Sequence, residues 1–158
     1  MVTFGYKTGR RKSEITDLQW SQVDLENGIF CHNPGETKND MARTVYLDSE
    51  LKELFEALWK ARKKSGQISP FVFPNETGKD NIRDFRGSWD KACTETKLGK
   101  RIFHDFRRTA VRNMVRAGIP ERVATMISGH PTRSIFERYN IVSDEDLKAA
   151  VGRQELYL

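Results

Sequence analysis

Apolar residues recur at intervals of three and four in two long segments, and that periodicity commits much of the chain to amphipathic helices packed on a core. Leu51, Leu54, Phe55, Leu58 and Trp59 make one stripe; Phe103, Phe106, Ala110, Met114 and Ala117 make the other. The first predicts a helix over 49–64, capped by Asp48 or Ser49 and ended by Ser65-Gly66. The second predicts a helix over 104–117, with Gly118 as its C-cap. Shorter helices are expected over 11–18, after a turn at Gly9, and over 82–96, 120–127 and 134–139. Gly129 ends the third of these, and Ser143 caps a last helix opening with Asp144-Glu145-Asp146, acids suited to a helix N-terminus. Extended segments at 23–25 and 29–32 flank Glu26-Asn27-Gly28, an Asn-Gly hairpin signal, and 43–47 reads as a third strand. A short extended piece is expected at 71–73. The expected class is mainly α with a small antiparallel β-sheet near the start of the chain.

A length of 158 residues suits one domain with its own core, and 37% hydrophobic against 31% charged residues is a globular balance. No apolar run approaches the roughly 18 residues a bilayer span needs. Cys31 and Cys93 lie far apart without a CxxC pair, which indicates neither a disulfide framework nor a zinc site; free thiols in a reducing cytoplasm are expected. The net charge is +5, and its placement is uneven. Between Lys100 and Arg138 nine basic residues face three acidic ones, eight of the nine being arginine, while the rest of the chain is nearly neutral. Arginine pairs two phosphate oxygens at once through its planar fork, so this segment suits a polyanion partner, although a solvated helical face also fits the charge alone.

Within that segment His104-Asp105-Phe106-Arg107 places a proton-transfer group and an anion-gripping group at i and i+3. Their face lies away from the Phe106/Ala110/Met114 stripe, so both tips are expected to leave the core. By itself the pair also describes an ordinary helix surface. His130 follows in Ser128-Gly129-His130, and Tyr139 comes nine residues later in Phe136-Glu137-Arg138-Tyr139. A lone loop histidine is often structural, and a lone tyrosine often fills a helix-packing seam.

Taken in order, His104, Arg107, His130 and Tyr139 resemble the C-terminal motifs of the tyrosine recombinases of the phage-integrase type. Thr8-Gly9-Arg10-Arg11-Lys12-Ser13-Glu14 is similar to the family's Thr-Gly-x-Arg-x-x-Glu, and Leu18-Gln19-Trp20-Ser21-Gln22-Val23-Asp24 continues the match. Thr37-Lys38-Asn39 before Arg43-Thr44-Val45 resembles the hairpin that carries the family's lysine. The resemblance runs from Thr8 to about Leu147. Tyr46 stands where proline is frequent, and Ser128 where leucine is common, a change expected to repack without moving His130.

The resemblance implies a DNA breaking-rejoining catalytic domain that cleaves and rejoins DNA strands without metal or other cofactor, through a 3′-phosphotyrosine. It implies Tyr139 as nucleophile, His104 as base, Arg11 and Arg107 as phosphate clamps supported by Glu14, His130 as a further donor, and Lys38 as the acid for the leaving 5′-oxygen. Arg108, Arg112, Arg133 and Arg138 are the expected DNA-backbone contacts. The implied partner is double-stranded DNA at attachment sites, with a homo-tetramer forming on DNA in the full-length protein and this piece monomeric alone. Residues 1–158 are expected to be a single catalytic domain, cut short at its N-terminus and lacking the family's N-terminal core-binding domain, so that it binds DNA weakly. A prokaryotic cytoplasmic, nucleoid-associated location follows. Two other readings share these residues: a type IB topoisomerase that relaxes DNA, and a non-catalytic DNA-binding module of the same fold.

Overall fold

In the computed structural model residues 1–32, 43–66, 69–130, 132–139 and 142–157 are described. The chain opens with a helix, α1 (Val2–Thr8), that the sequence reading did not anticipate. Seven residues with a glycine inside give little intrinsic helicity. Burial supplies what propensity lacks: Phe4, Gly5 and Thr8 turn inward, and Tyr6 receives a hydrogen bond from Asn113 at 3.1 Å across the neighbouring helix. Gly9 ends α1 in the left-handed conformation, with φ 64°.

After α2 (Lys12–Thr16), shorter than the expected 11–18, the chain turns extended. Gln19 pairs with Phe71, and the Val72 N–H donates to the Leu18 carbonyl at 2.9 Å. A 3-10 turn at Trp20–Gln22 leads into β1 (Val23–Asp24), β2 (Ile29–His32) and β3 (Arg43–Tyr46). These form an antiparallel sheet in the order β1-β2-β3, with Val23 opposite Phe30 and Phe30 opposite Val45. The alternation expected of a half-buried strand holds in β3, where Val45 is buried and Tyr46 is 79% exposed.

α3 (Ser49–Ser65) runs one residue past the expected 49–64. The Asp48 carboxylate caps it by accepting from the Leu51 N–H at 2.9 Å. α4 is confined to Arg86–Glu95, not 82–96. The residues before it are held otherwise: Asn81 bridges to Pro74, and the Ile82 N–H donates to the Phe73 carbonyl at 3.0 Å. That pairing seats Ile82 and Phe85 against the core, a long-range gain invisible to helical periodicity. Among the described residues the final third is mainly helical, with α5 (Asp105–Arg116), α6 (Glu121–Ser128), α7 (Arg133–Glu137) and α8 (Asp144–Tyr157). Ser143 caps α8 reciprocally: the Asp146 carboxylate accepts from the Ser143 N–H at 2.9 Å, and the Asp146 N–H donates to the serine hydroxyl at 3.4 Å.

Two apolar clusters organise these elements. Phe4, Ile15, Leu18, Phe30, Val45, Leu51, Phe55, Val72, Phe73 and Phe103 form the larger, joining α1, α2, the sheet and α3. Ala110, Val111, Met114, Ala124 and Phe136 form the smaller, between α5, α6 and α7. α1 packs on α5 between them, so the turn after α1 lies over the start of α5.

Candidate active site

That packing brings distant pieces of sequence together. Gly9 approaches α5 so closely that an added Cβ would lie 3.0 Å from the Ala110 Cβ, which requires glycine for space as well as for its positive φ. The close approach delivers the Gly9 carbonyl to Arg107, whose Nη1 donates to it at 2.6 Å. The same Nη1 donates to the Ser128 carbonyl at the end of α6, also at 2.6 Å. Arg107 Nε donates to His130 Nε2 at 3.1 Å. The expectation that the Arg107 tip leaves the core is therefore corrected: Arg107 is 2% exposed and ties the α1–α2 turn, the end of α6 and His130 into one unit. Helical spacing set its face correctly apart from the stripe, but α1 and α6 roof over that face.

His104 sits at the N-cap position of α5 and keeps its ring at the surface. Its Nε2 lies 2.9 Å from the Tyr139 hydroxyl. Tyr139 follows α7, its N–H donating to the Phe136 carbonyl at 2.9 Å, and its half-buried ring leans on the smaller cluster. The rings of His130 and Tyr139 are 4.9 Å apart between centroids, and the Arg108 guanidinium lies 5.9 Å from the centre of the Tyr139 ring.

Arg11 stands at the N-cap of α2, partly exposed. Glu14 holds it twice, accepting from the Arg11 N–H at 3.2 Å and from its Nη1 at 2.9 Å. Glu14 is itself buried, and Arg10, also buried, approaches it at 3.7 Å. One carboxylate thus offsets two guanidinium groups, with Arg10 also stacked over the Phe30 ring at 5.1 Å. The sequence reading gave Arg10 no role; the only hint was an arginine at the open position of the Thr-Gly-x-Arg motif.

The electrostatics follow from this crowding. Burial first, and then the charge of Arg11, pull the Arg107 guanidinium down to about 10, still cationic at neutral pH. His104 is held below the ordinary histidine value, chiefly because packed protein desolvates the ring although it touches solvent, and then because Arg107 and Arg108 oppose a second positive charge. A neutral imidazole 2.9 Å from a phenol can accept its proton.

Arg11, His104, Arg107, His130 and Tyr139 are therefore neighbours in one site, with Glu14 behind Arg11. Lys38 lies outside the described residues. Arg108 and Arg112 are one turn apart on α5, Arg108 exposed and Arg112 half-buried. Arg138 is exposed, and Arg133 pairs with Glu137 at 3.0 Å and Glu121 at 3.3 Å. Ser128 does more than repack. It bears directly on the histidine, its hydroxyl lying 2.8 Å from His130 Nδ1, with no exposure to solvent. Among the described residues no three His, Cys, Asp or Glu side chains gather as metal ligands would.

The chain is similar to known integrases and recombinases. The integrase of Salmonella phage P22 is 26% identical over 151 residues, covering 88% of this chain and 38% of that protein. The tyrosine recombinase XerC of Lactobacillus delbrueckii is 29% identical over 154 residues, covering 93% of this chain and 51% of that protein. This chain thus spans about half the length, or less, of these curated relatives. The structure of the Tn1549 transposon integrase in complex with a circular intermediate DNA shares the fold at a TM-score of 0.77 and 19% identity, over 96% of this chain and 57% of that one. The model of the phage integrase family matches residues 1–146, everything up to the first turn of α8, and the chain belongs to that family.

Proposed function

We propose that this chain is the catalytic part of a site-specific DNA recombinase that cuts and rejoins strands through a phosphotyrosine at Tyr139. The Tyr139 oxygen attacks the scissile phosphorus and gives its proton to His104. A bond forms from the tyrosine oxygen to phosphorus, and the bond to the 5′-oxygen breaks. Lys38 supplies the proton that makes the leaving group a 5′-hydroxyl. Arg11 and Arg107 offset charge on the non-bridging oxygens, with His130 as a further contact. Because the phosphoester is conserved, rejoining is the same exchange run backwards. The observation that carries the reading is the 2.9 Å contact of His104 Nε2 with the Tyr139 hydroxyl, within electrostatic reach of Arg107.

Double-stranded DNA is the proposed partner, since the transposon integrase of the same fold is in complex with DNA. Arg108, Arg112, Arg133 and Arg138 are its proposed backbone contacts. The same reading places four copies on paired DNA sites, a DNA-clamping domain beside this one, and the protein with the nucleoid in the cytoplasm.

The test uses a pool of nicked duplexes of randomised sequence, labelled on the strand 5′ of the cut. An SDS-stable protein–DNA adduct is expected with the native chain and none with Tyr139→Phe. An adduct that survives Tyr139→Phe, or no adduct from the native chain across the pool, overturns the proposal. Relaxation of supercoiled plasmid by the native chain, without strand exchange between two duplexes, would assign the same chemistry to a topoisomerase instead.

A further inference from the structure

The hydrogen bonds around His130 determine its protonation. Arg107 Nε can only donate, so His130 Nε2, 3.1 Å away, must present a lone pair. The ring proton of the neutral imidazole then sits on Nδ1, 2.8 Å from the Ser128 hydroxyl. That hydroxyl in turn donates to the Ala124 carbonyl at 2.7 Å. Every proton in the chain Nδ1–H, Oγ–H, carbonyl has an acceptor. Ser128 also holds the other partner, because its own carbonyl accepts from Arg107 Nη1 at 2.6 Å. All three residues are 5% exposed or less, so water does not substitute freely for any of these bonds.

We propose that Ser128 is the positioning residue of this site: its hydroxyl, committed as a donor to the Ala124 carbonyl, accepts from Nδ1–H of His130 and so stabilises the form whose Nε2 holds Arg107. An aliphatic side chain at 128 would remove this acceptor from Nδ1–H, and with it the preference for the form that holds Arg107.

The experiment is NMR of the DNA-free chain with ring-labelled ¹⁵N histidine, where the two nitrogens of each imidazole report which is protonated. The chain has three histidines, so His32→Gln and His104→Gln assign His130 by elimination. The expected result is a protonated Nδ1 and a bare Nε2. Ser128→Ala, which removes only the hydroxyl, should shift His130 towards the Nε2–H form, and Ser128→Thr should restore the native pattern. A native His130 with its proton on Nε2, or a pattern unchanged by Ser128→Ala, overturns the proposal. Loss of one hydrogen bond to the ring should also lower the adduct-forming rate roughly tenfold. If no variant or native chain forms an adduct but the ring nitrogens behave as stated, the assignment of Ser128 stands and the recombinase reading falls.

Discussion

The two apolar clusters are built on different principles. The larger holds five phenylalanines, with Phe4 set edge-on to Phe30 at 5.0 Å and to Phe55 at 5.4 Å. Its stabilisation comes from apolar area removed from water, which has no direction and tolerates small adjustments. The smaller cluster has only one aromatic among its buried members, Phe136, and the groups stacked over it are polar: Arg107, Ser128 and His130, all buried. There the fold is held by hydrogen bonds of 2.6–3.1 Å whose loss leaves unpaired polar groups in a dry interior. The first half is a scaffold, and the second is a site whose rigidity and chemistry reside in the same atoms. A substitution in the scaffold should change stability alone; one in the site should change both.

Arg107→Lys gives the sharpest contrast. It keeps a positive charge but cannot reach the Gly9 and Ser128 carbonyls and His130 together. Adduct formation should fall about a thousandfold, and urea unfolding should reveal a loss of about 2 kcal/mol or more. A variant with near-native stability and activity would erase the distinction between the halves. Phe55→Ala, at the centre of the scaffold, should cost about 3–5 kcal/mol of stability. Its rate per folded molecule should match the native rate; a large rate loss in the folded fraction would show that the two clusters are coupled.

His104→Gln should lower the adduct-forming rate roughly 10²–10⁴-fold with little change in melting temperature, since the ring sits at the surface. The native pH profile carries a sign. A lowered histidine pKa keeps the base neutral further into acid, so the rate should hold to a pH below the ordinary value of about 6.5 and be lost as pH falls through the shifted one. An acid limb centred above that value would remove His104 as the base. The smallest effect belongs to Asp48→Ala. It removes the cap of α3 and one of the two carboxylates paired with Lys7, Glu50 remaining at 2.6 Å, for about 1 kcal/mol in thermal unfolding and no change in cleavage.

Much of this is legible in the sequence. The stripes over 51–59 and 103–117 placed α3 and α5, because a helix buried on one face must repeat its apolar residues near 3.6. Asn27-Gly28 placed the first hairpin, and Gly28 takes the positive φ that the signal implies. The ordered motifs named Arg11, His104, Arg107, His130 and Tyr139, which lie together although their order alone carries no distances. What escaped the reading depends on contacts between remote segments. α1 is helical because α5 buries it, and residues 81–82 are extended because they pair with 73–74.

The sequence by itself determined most of the elements and the separation of basic charge into the last third, and its resemblance to a known family named the groups expected at the site. Those features depend on local spacing and residue chemistry, which a chain carries whether folded or not. Only the tertiary structure decided that Arg107 is buried, that Glu14 serves Arg10 as well as Arg11, and that Ser128 grips His130. Burial and hydrogen-bond partnership belong to pairs of segments. They come into being when Gly9 lets α1 close onto α5 and the end of α6 completes the roof.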